Sequence, residues 1–181
     1  MKNKILLFLL AIFILSCESD DSDSHSDSNL QELPLSKRLI GAWNLTDYYS
    51  DTYFEEWNEG RIEEIVSAET DYGIEFTDNP KRIILTGFLR YSFKEYEIVD
   101  GEKVITYEAT NFMDAEHGEG YHTNEWRVEN EILITEDPRD GDPYFSLSEM
   151  QLSGDNLKLT LDPSQFNPKN SGEITVEYKR K

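Results

Sequence analysis

Two acidic segments hold the side chains of this chain that are best suited to bind a metal ion. The first, Glu116-His117-Gly118-Glu119-Gly120-Tyr121-His122, contains two imidazoles and two carboxylates, and Glu125 follows shortly after it. Imidazole and carboxylate groups are ligands of Zn²⁺. His117 and His122 are five residues apart across two glycines, a spacing that matches neither one face of a helix nor one face of a strand. We interpret the segment as a loop and predict no metal site.

The second segment, Asp137-Pro138-Arg139-Asp140-Gly141-Asp142-Pro143, offers carboxylates beside a glycine, which would suit Ca²⁺. It lacks the alternating ligand positions and the distal Glu of an EF-hand loop. Asp, Pro and Gly favour turns for conformational reasons alone. We therefore interpret this segment as a turn and expect no cofactor.

No sequence pattern of an enzyme is present. The chain has no Gly-x-Ser-x-Gly elbow, no phosphate-binding glycine loop and no zincin helix. Acidic pairs are frequent by chance among 37 Asp and Glu residues, so their spacing carries no information about glycoside hydrolysis. The expected protein is not an enzyme, and no catalytic residue is assigned.

The single cysteine, Cys17, offers a chemistry of attachment. It ends the run Ile14-Leu15-Ser16-Cys17 directly after an apolar stretch from Ile5 to Leu15, and Lys2 and Lys4 precede that stretch. This is the layout of a bacterial lipoprotein signal peptide, predicted here for residues 1–16. The apolar stretch is shorter than the roughly 20 residues of a membrane-spanning helix. We predict that the Cys17 thiol is lipidated and that acyl chains anchor the protein.

Charge and composition limit the partners of this protein. A formal net charge of -20 excludes a general nucleic-acid binder, because phosphate recognition depends on clustered Lys and Arg. No second cysteine exists to form an intramolecular disulfide. We expect contact with the membrane through the lipid anchor only, while the oligomeric state cannot be predicted from the sequence.

Residues 17–34 are predicted to be an acidic, disordered tether. The stretch from Glu18 to Ser28 has no apolar residue, so it cannot bury enough surface to offset the entropy of ordering. The segment Ser19-Asp20-Asp21 resembles the surface-export signal of some Gram-negative lipoproteins. The expected location is therefore the outer membrane, with the resemblance implying display at the cell surface.

From Leu35 onward, residues 35–181 alternate between short extended segments and turn residues, which is typical of an antiparallel barrel or sandwich. Asp100-Gly101 predicts a tight hairpin, and Asn130 is placed to adopt a left-handed conformation in another. The predicted strands are Gly41 to Tyr49, Gly73 to Thr77, Arg82 to Phe93, Lys94 to Val99, Lys103 to Ala109, Asn124 to Glu129, Glu131 to Thr135, Phe145 to Leu152, Asn156 to Leu161 and Glu173 to Lys179.

Three segments depart from clean alternation. Glu55 to Ala68 has apolar residues at a spacing that predicts an amphipathic helix interrupted by Gly60. Leu35 to Ile40 predicts a short helical turn. In Phe145 to Leu152 the apolar phase slips by one residue, which predicts a β-bulge. The predicted class remains mainly β, with about eight strands and one or two short helices.

The segment Gly41-Ala42-Trp43 at the start of the first strand resembles the Gly-x-Trp signature of lipocalins. The Trp126 to Ile134 hairpin and the terminal Tyr178-Lys179-Arg180 extend the resemblance to lipocalin-like lipoproteins of Gram-negative bacteria. It implies an up-and-down β-barrel over residues 35–181 in which Trp43 closes one end. It also implies that Lys179 or Arg180 lies over the indole as a cation on an aromatic face.

An eight-stranded barrel is wide enough either to be filled by side chains or to hold one small ligand. The residues best placed to line a pocket for a small apolar ligand are aromatic, namely Phe88, Tyr91, Phe93, Tyr107 and Phe112. The alternative is a packed barrel that presents an acidic, aromatic surface to a partner protein or glycan, where Tyr48, Tyr49, Tyr53 and Trp57 would also be available. The sequence leaves both functions open, and a third, weaker hypothesis is a hydrolase, which would need titratable groups that converge in a cleft.

Overall fold

The computed structural model describes residues 33–56, 59–137 and 144–181. In these residues one short helix, α1 (Leu35–Leu39), precedes a fold made of antiparallel strands. The strands are β1 (Gly41–Glu56), β2 (Glu59–Thr70), β3 (Gly73–Phe76), β4 (Arg82–Thr86), β5 (Phe88–Val99), β6 (Glu102–Asp114), β7 (Asn124–Glu129), β8 (Ile132–Asp137), β9 (Tyr144–Ser153), β10 (Asn156–Leu161) and β11 (Ser171–Arg180).

Eight of these strands close into a barrel. The ladder runs β1-β3-β4-β7-β8-β9-β10-β11, and β11 pairs again with β1. Every pairing is antiparallel, and neighbours in the barrel follow chain order. The predicted antiparallel up-and-down barrel of about eight strands is confirmed, as is the short helix before the first strand.

The other three strands, β2, β5 and β6, continue the sheet past the barrel, and we call them the arm. Residues 49 to 56 of β1 pair with β2, β2 pairs with β5, and β5 pairs with β6. The turn from β4 into β5 is at Gly87, whose φ is +74° and whose added Cβ would lie 1.9 Å from the carbonyl oxygen of Asp71. A glycine is required at this point because a side chain fits neither the conformation nor the space.

The core lies inside the barrel and follows the predicted alternation. Leu157, Leu159 and Leu161 on β10 are buried against Ile174, Val176 and Tyr178 on β11, as expected for strands with one apolar face. The tight hairpin at Asp100-Gly101 is confirmed, with φ of 55° and 88°. The left-handed turn at Asn130 is confirmed as well, with φ of 49°.

The predicted helix over Glu55 to Ala68 is wrong, because most of that segment is strand β2. Ile62 and Val66 face one side of the arm and Ile65 faces the other, each opposite a residue of β1 and of β5. Ile62 and Ile65 are both half-buried although they lie on opposite faces, so the apolar positions of β2 do not follow a period of two. An added Cβ at Gly60 would lie 2.0 Å from the Tyr53 hydroxyl, so this glycine allows a close side-chain approach.

The predicted bulge in Phe145 to Leu152 is also wrong. Strand β9 pairs without a register shift on both edges, and the inward positions are taken by the small residues Ser146 and Ser148. Phe145 and Leu147 face outward and are 41% and 43% exposed. Side chains of β9 therefore alternate regularly between inward and outward. The apolar pattern of the sequence does not show this, because serines take inward positions. The predicted break between Phe93 and Lys94 falls inside β5, and the actual break is at Gly87.

Candidate functional site

One end of the barrel is closed by a contact between Trp43 and Arg180. The guanidinium carbon of Arg180 lies 4.1 Å from the centre of the fully buried Trp43 ring. The indole N–H donates to the carbonyl of Leu39 at 2.8 Å, which joins helix α1 to the ring. Arg180 donates to the carbonyls of Ile40, at 3.0 Å, and Arg38. Of the two basic residues considered, Arg180 makes this contact and Lys179 is exposed.

Buried side chains of the described residues pack together inside the barrel. A cavity of about 20 Å³ lies among them, lined by Leu45, Tyr48, Tyr72, His122 and Tyr178 among others. That volume is room for one water molecule. Desolvation by burial raises the pKa of Tyr48, Tyr72 and Tyr178, so these phenols are neutral and serve as packing groups.

The segment between β6 and β7 folds into the barrel and helps to fill it. It begins with a single 3-10 turn at Ala115–His117 and ends with the buried residues His122 and Thr123. The Tyr121 and Tyr48 hydroxyls are 3.0 Å apart, and Tyr72 donates to the carbonyl of Glu119 at 3.0 Å. These contacts hold the segment against the interior.

His117 and His122 are placed in different surroundings. His117 is exposed, with its Nδ1 3.4 Å from the carboxylate of Asp114. His122 is buried, and its Nε2 lies 2.7 Å from the Ser148 hydroxyl. Burial lowers the pKa of His122 to about 4, so its imidazole is neutral at physiological pH. Over the ranges 33–56, 59–137 and 144–181, no group of three or more His, Cys, Asp or Glu side chains is arranged to hold a metal ion.

The five aromatic residues predicted to line a pocket lie on two opposite faces. Tyr91, Phe93 and Tyr107 share one face of the arm, which we call the inner face and which continues the face of β1 that carries Tyr48. Phe88 and Phe112 lie on the reverse, the outer face, where they are 37% and 67% exposed. The structure therefore brings three of the five together and separates the other two from them.

The inner face of the arm combines aromatic rings with carboxylates. Phe93 and Tyr107 meet edge to face with ring centres 6.1 Å apart. Glu63 and Glu95 are directly opposite each other on β2 and β5. Arg61 hydrogen-bonds to Glu63, and its Nε lies 3.9 Å from the carboxylate of Glu95. Aromatic rings on this face can stack on planar groups, while Arg61 holds the two carboxylates together.

An apolar row crosses the outer face of the arm and continues onto the adjoining part of β1. Tyr53, Ile62, Tyr96 and Ile105 lie opposite one another in the register of β1, β2, β5 and β6. Tyr53 is 38% exposed and Ile105 is 49% exposed. The Lys103 ammonium lies 5.5 Å from the centre of the Tyr96 ring and 3.4 Å from the Asp51 carboxylate. Desolvation and the nearby Glu64 carboxylate raise the pKa of Tyr96, so its hydroxyl stays a donor to Glu64.

The sequence did not indicate that β6 forms an edge of the sheet. A residue pattern shows which side chains alternate, but an edge depends on which strand lacks a neighbour. The apolar residues on both sides of Asp100-Gly101, namely Ile98, Val99, Val104 and Ile105, indicate only that this hairpin projects. All four are between 45% and 57% exposed, and they lie on both faces of the hairpin.

Several sequence predictions fall outside the described residues. Cys17, the signal peptide and nearly all of the tether lie there, and so do Trp57 and residues 138–143 of the second acidic segment. A search of the described part of the chain finds no helix with the length and apolar character needed to cross a membrane.

Comparison with known proteins identifies no relative of this chain. No protein-family model, no curated protein and no solved structure matches the chain.

Proposed function

We propose that this chain is a lipid-anchored lipoprotein of the outer membrane whose folded domain is a non-catalytic interaction module, and that the arm binds a partner protein. Cys17 supplies the anchor, and the acidic segment after it holds the domain away from the bilayer. The barrel is the rigid support, and β2, β5 and β6 supply the contact surface.

The observation that carries this proposal is the distribution of apolar side chains. Eight of the fourteen exposed large apolar residues of the described chain lie on the arm, which has only about a quarter of the described residues. They are Val66, Phe88, Ile98, Val99, Val104, Ile105, Tyr107 and Phe112. Exposed apolar residues gathered in one region and bordered by charges are characteristic of interaction sites.

The packed interior favours this function over the other one expected from the sequence. A small apolar ligand needs an enclosed volume that buries most of its surface, and the cavity inside the barrel has room for one water molecule. Aromatic residues on the inner face remain available to an apolar ligand, but Tyr107 is 51% exposed there. That surface suits a macromolecular partner that covers it.

Native mass spectrometry of the full chain, released from its producing membranes, tests the proposal. We expect an added protein mass on the wild type. That mass should be lost from Ile105→Asp on the arm and kept on Ile84→Asp, a barrel residue that is 48% exposed compared with 49% for Ile105. A bound mass of small-molecule size that both variants retain would instead support ligand binding. A bound mass of glycan size would mean that the partner is a glycan and not a protein.

A further inference from the structure

We propose that the outer edge of β6 binds an extended, basic segment of the partner protein as an added β-strand. This inference rests on the proposed function, since it names how the arm engages its partner. Adding a strand to a free sheet edge uses the backbone for affinity and alternate side chains for specificity.

A hydrogen bond at the end of β6 shows which of its backbone groups point outward. The Ala115 N–H donates to the carbonyl of Gly87 at 3.0 Å, at the position where the β5-β6 ladder begins. Because N–H and C=O groups alternate in direction along an antiparallel strand, those of Met113, Asn111 and Ala109 point toward β5. The groups of the residues between them, Phe112, Thr110 and Glu108, point away from the sheet.

A hydrogen bond made by β5, the strand paired with β6, independently gives the same direction for the backbone groups of β6. The carbonyl of Phe88 accepts a hydrogen bond from the Asp71 N–H at 3.0 Å, on the side of β5 that faces β2. Phe88 pairs with Asp114, so the backbone groups of Asp114 also point outward. They do: the Asp114 N–H donates to the Glu119 carboxylate at 2.8 Å, and its carbonyl accepts from the Glu119 N–H at 3.3 Å.

Glu119 therefore covers one end of the edge and leaves the rest open. Within the parts of the chain that the structure describes, β6 is the last strand of the sheet. No backbone hydrogen bond from those parts reaches the outward groups of Glu108, Thr110 or Phe112. Three N–H donors and three carbonyl acceptors thus face solvent in a regular row, the template that an added strand needs.

The edge has few of the features that normally keep sheet edges from pairing. Long strands are usually protected by Pro, by inward-pointing charges or by a covering loop. Strand β6 has no Pro over its 13 residues, and Phe112 and Tyr107 are exposed on its two faces. Its register shift lies nearer the hairpin end, opposite Glu95 and Tyr96, and leaves Glu108 to Phe112 regular.

Charge complementarity indicates a basic occupant. Strand β6 carries Glu102, Glu108 and Asp114 against one base, Lys103. Glu108 is 58% exposed at its side chain, with Lys94 3.8 Å away. It shares the outer face with Phe112, four positions on, so an added strand would place Lys or Arg beside Glu108 and an apolar residue beside Phe112. A second copy of this chain, with a net charge of -20, would be repelled.

A synthetic peptide, Ser-Lys-Thr-Lys-Val-Phe-Val-Lys-Thr-Lys-Ser, is a suitable probe. We expect it to add antiparallel, like the pairings within the arm, and it places Lys and Phe on one face and Thr and Val on the other. Binding of the fluorescently labelled peptide to the full chain in detergent is measured by anisotropy. A matched peptide with Glu in place of every Lys should not bind.

Two variants of Thr110 separate pairing at the edge from other contacts. Thr110→Pro removes an outward N–H, a change that an edge strand tolerates because its ladder to β5 is kept. Thr110→Val keeps the N–H and a β-branched side chain. We expect the peptide to bind wild type and Thr110→Val equally, and Thr110→Pro about tenfold more weakly or worse.

A second measurement leaves the protein unchanged, in case Thr110→Pro does not fold. Methylating alternate backbone nitrogens of the peptide on one edge, and then on the other, removes its donors without changing its side chains. One of the two methylated peptides should lose binding and the other should retain it.

Equal binding to wild type and Thr110→Pro, or equal binding of both methylated peptides, would overturn the proposed strand addition, as would no peptide binding at all. The proposed function would survive that result if the partner mass is still lost from Ile105→Asp. If Ile105→Asp and Ile84→Asp retain the partner mass equally, the proposed function would itself be overturned.

Discussion

Asp114 and Glu119 are joined by two hydrogen bonds that terminate the exposed edge of β6. The Asp114 N–H donates to the Glu119 carboxylate at 2.8 Å, and the Glu119 N–H donates to the Asp114 carbonyl at 3.3 Å. The loop that follows the arm thereby occupies the outward groups of one residue and leaves those of Glu108, Thr110 and Phe112 to a partner. The closed barrel and the open edge meet at this pair.

Glu119→Ala should lengthen the free edge without unfolding the barrel. Loss of one charge-assisted hydrogen bond at an exposed site should cost about 1 kcal/mol. The amide hydrogen of Asp114 should exchange faster by about tenfold. Glu116→Ala, an exposed acid in the same turn, is the control and should leave that amide unchanged. Unchanged exchange at Asp114 in Glu119→Ala would show that the hydrogen bond does not form in solution.

Arg180→Met should destabilise the closed end of the barrel by about 2 to 3 kcal/mol, because it removes a shielded cation–π contact and hydrogen bonds to the carbonyls of Ile40 and Arg38. Lys179→Met, at an exposed neighbour, should change the free energy of unfolding by less than about 0.5 kcal/mol. Denaturant unfolding followed by tryptophan fluorescence measures both. Similar losses in the two variants would mean that Arg180 does not support Trp43.

His122 should make the domain less stable in mild acid. Burial lowers the pKa of its imidazole from 6.5 to about 4 in the folded state, so between these values the unfolded chain binds a proton that the folded chain does not. The free energy of unfolding should therefore fall by about 2 kcal/mol from pH 7 to pH 5 on account of this group.

His122→Gln keeps a polar group near Ser148 but cannot titrate in this range, so it is the matched control. Its stability should depend less steeply on pH than that of the wild type, whatever its stability at pH 7. Parallel pH profiles for the two proteins would refute the assignment of this acid sensitivity to His122.

Cys17→Ser tests the anchor, which lies outside the described residues and stays a prediction. The variant lacks the thiol that forms a thioether with diacylglycerol, so labelled fatty acid should not be incorporated and unprocessed precursor should accumulate. The matched control is Ser16→Ala, which keeps a small residue before the cysteine. Incorporation of label into Cys17→Ser at the wild-type level would contradict the lipoprotein assignment.

The sequence predicts the barrel well because apolar and polar residues alternate one by one along most of its strands. Leu157, Leu159 and Leu161 show this alternation, and the Asp100-Gly101 turn identifies the hairpin at the end of the arm. The prediction fails where the apolar residues of a strand do not follow the period of two. Ser146 and Ser148 point inward on β9, and β2 buries residues on both faces.

The candidate site was only partly predictable for the same physical reason. The sequence identifies Tyr91, Phe93 and Tyr107 as aromatic candidates, but only the register of β5 with β6 shows that Phe88 and Phe112 face the other way. The free edge could not be read from residue types, since the outward direction of Thr110 depends on the neighbour that β6 lacks.

Photocrosslinking in intact producing cells tests most directly whether the arm is the binding surface. A photoreactive residue is introduced at Ile105 on the arm or at Ile84 on the barrel wall, positions with nearly equal exposure of 49% and 48%. We predict a discrete protein adduct from position 105 and none from position 84. An adduct from position 84 alone, or no adduct from position 105, would contradict it.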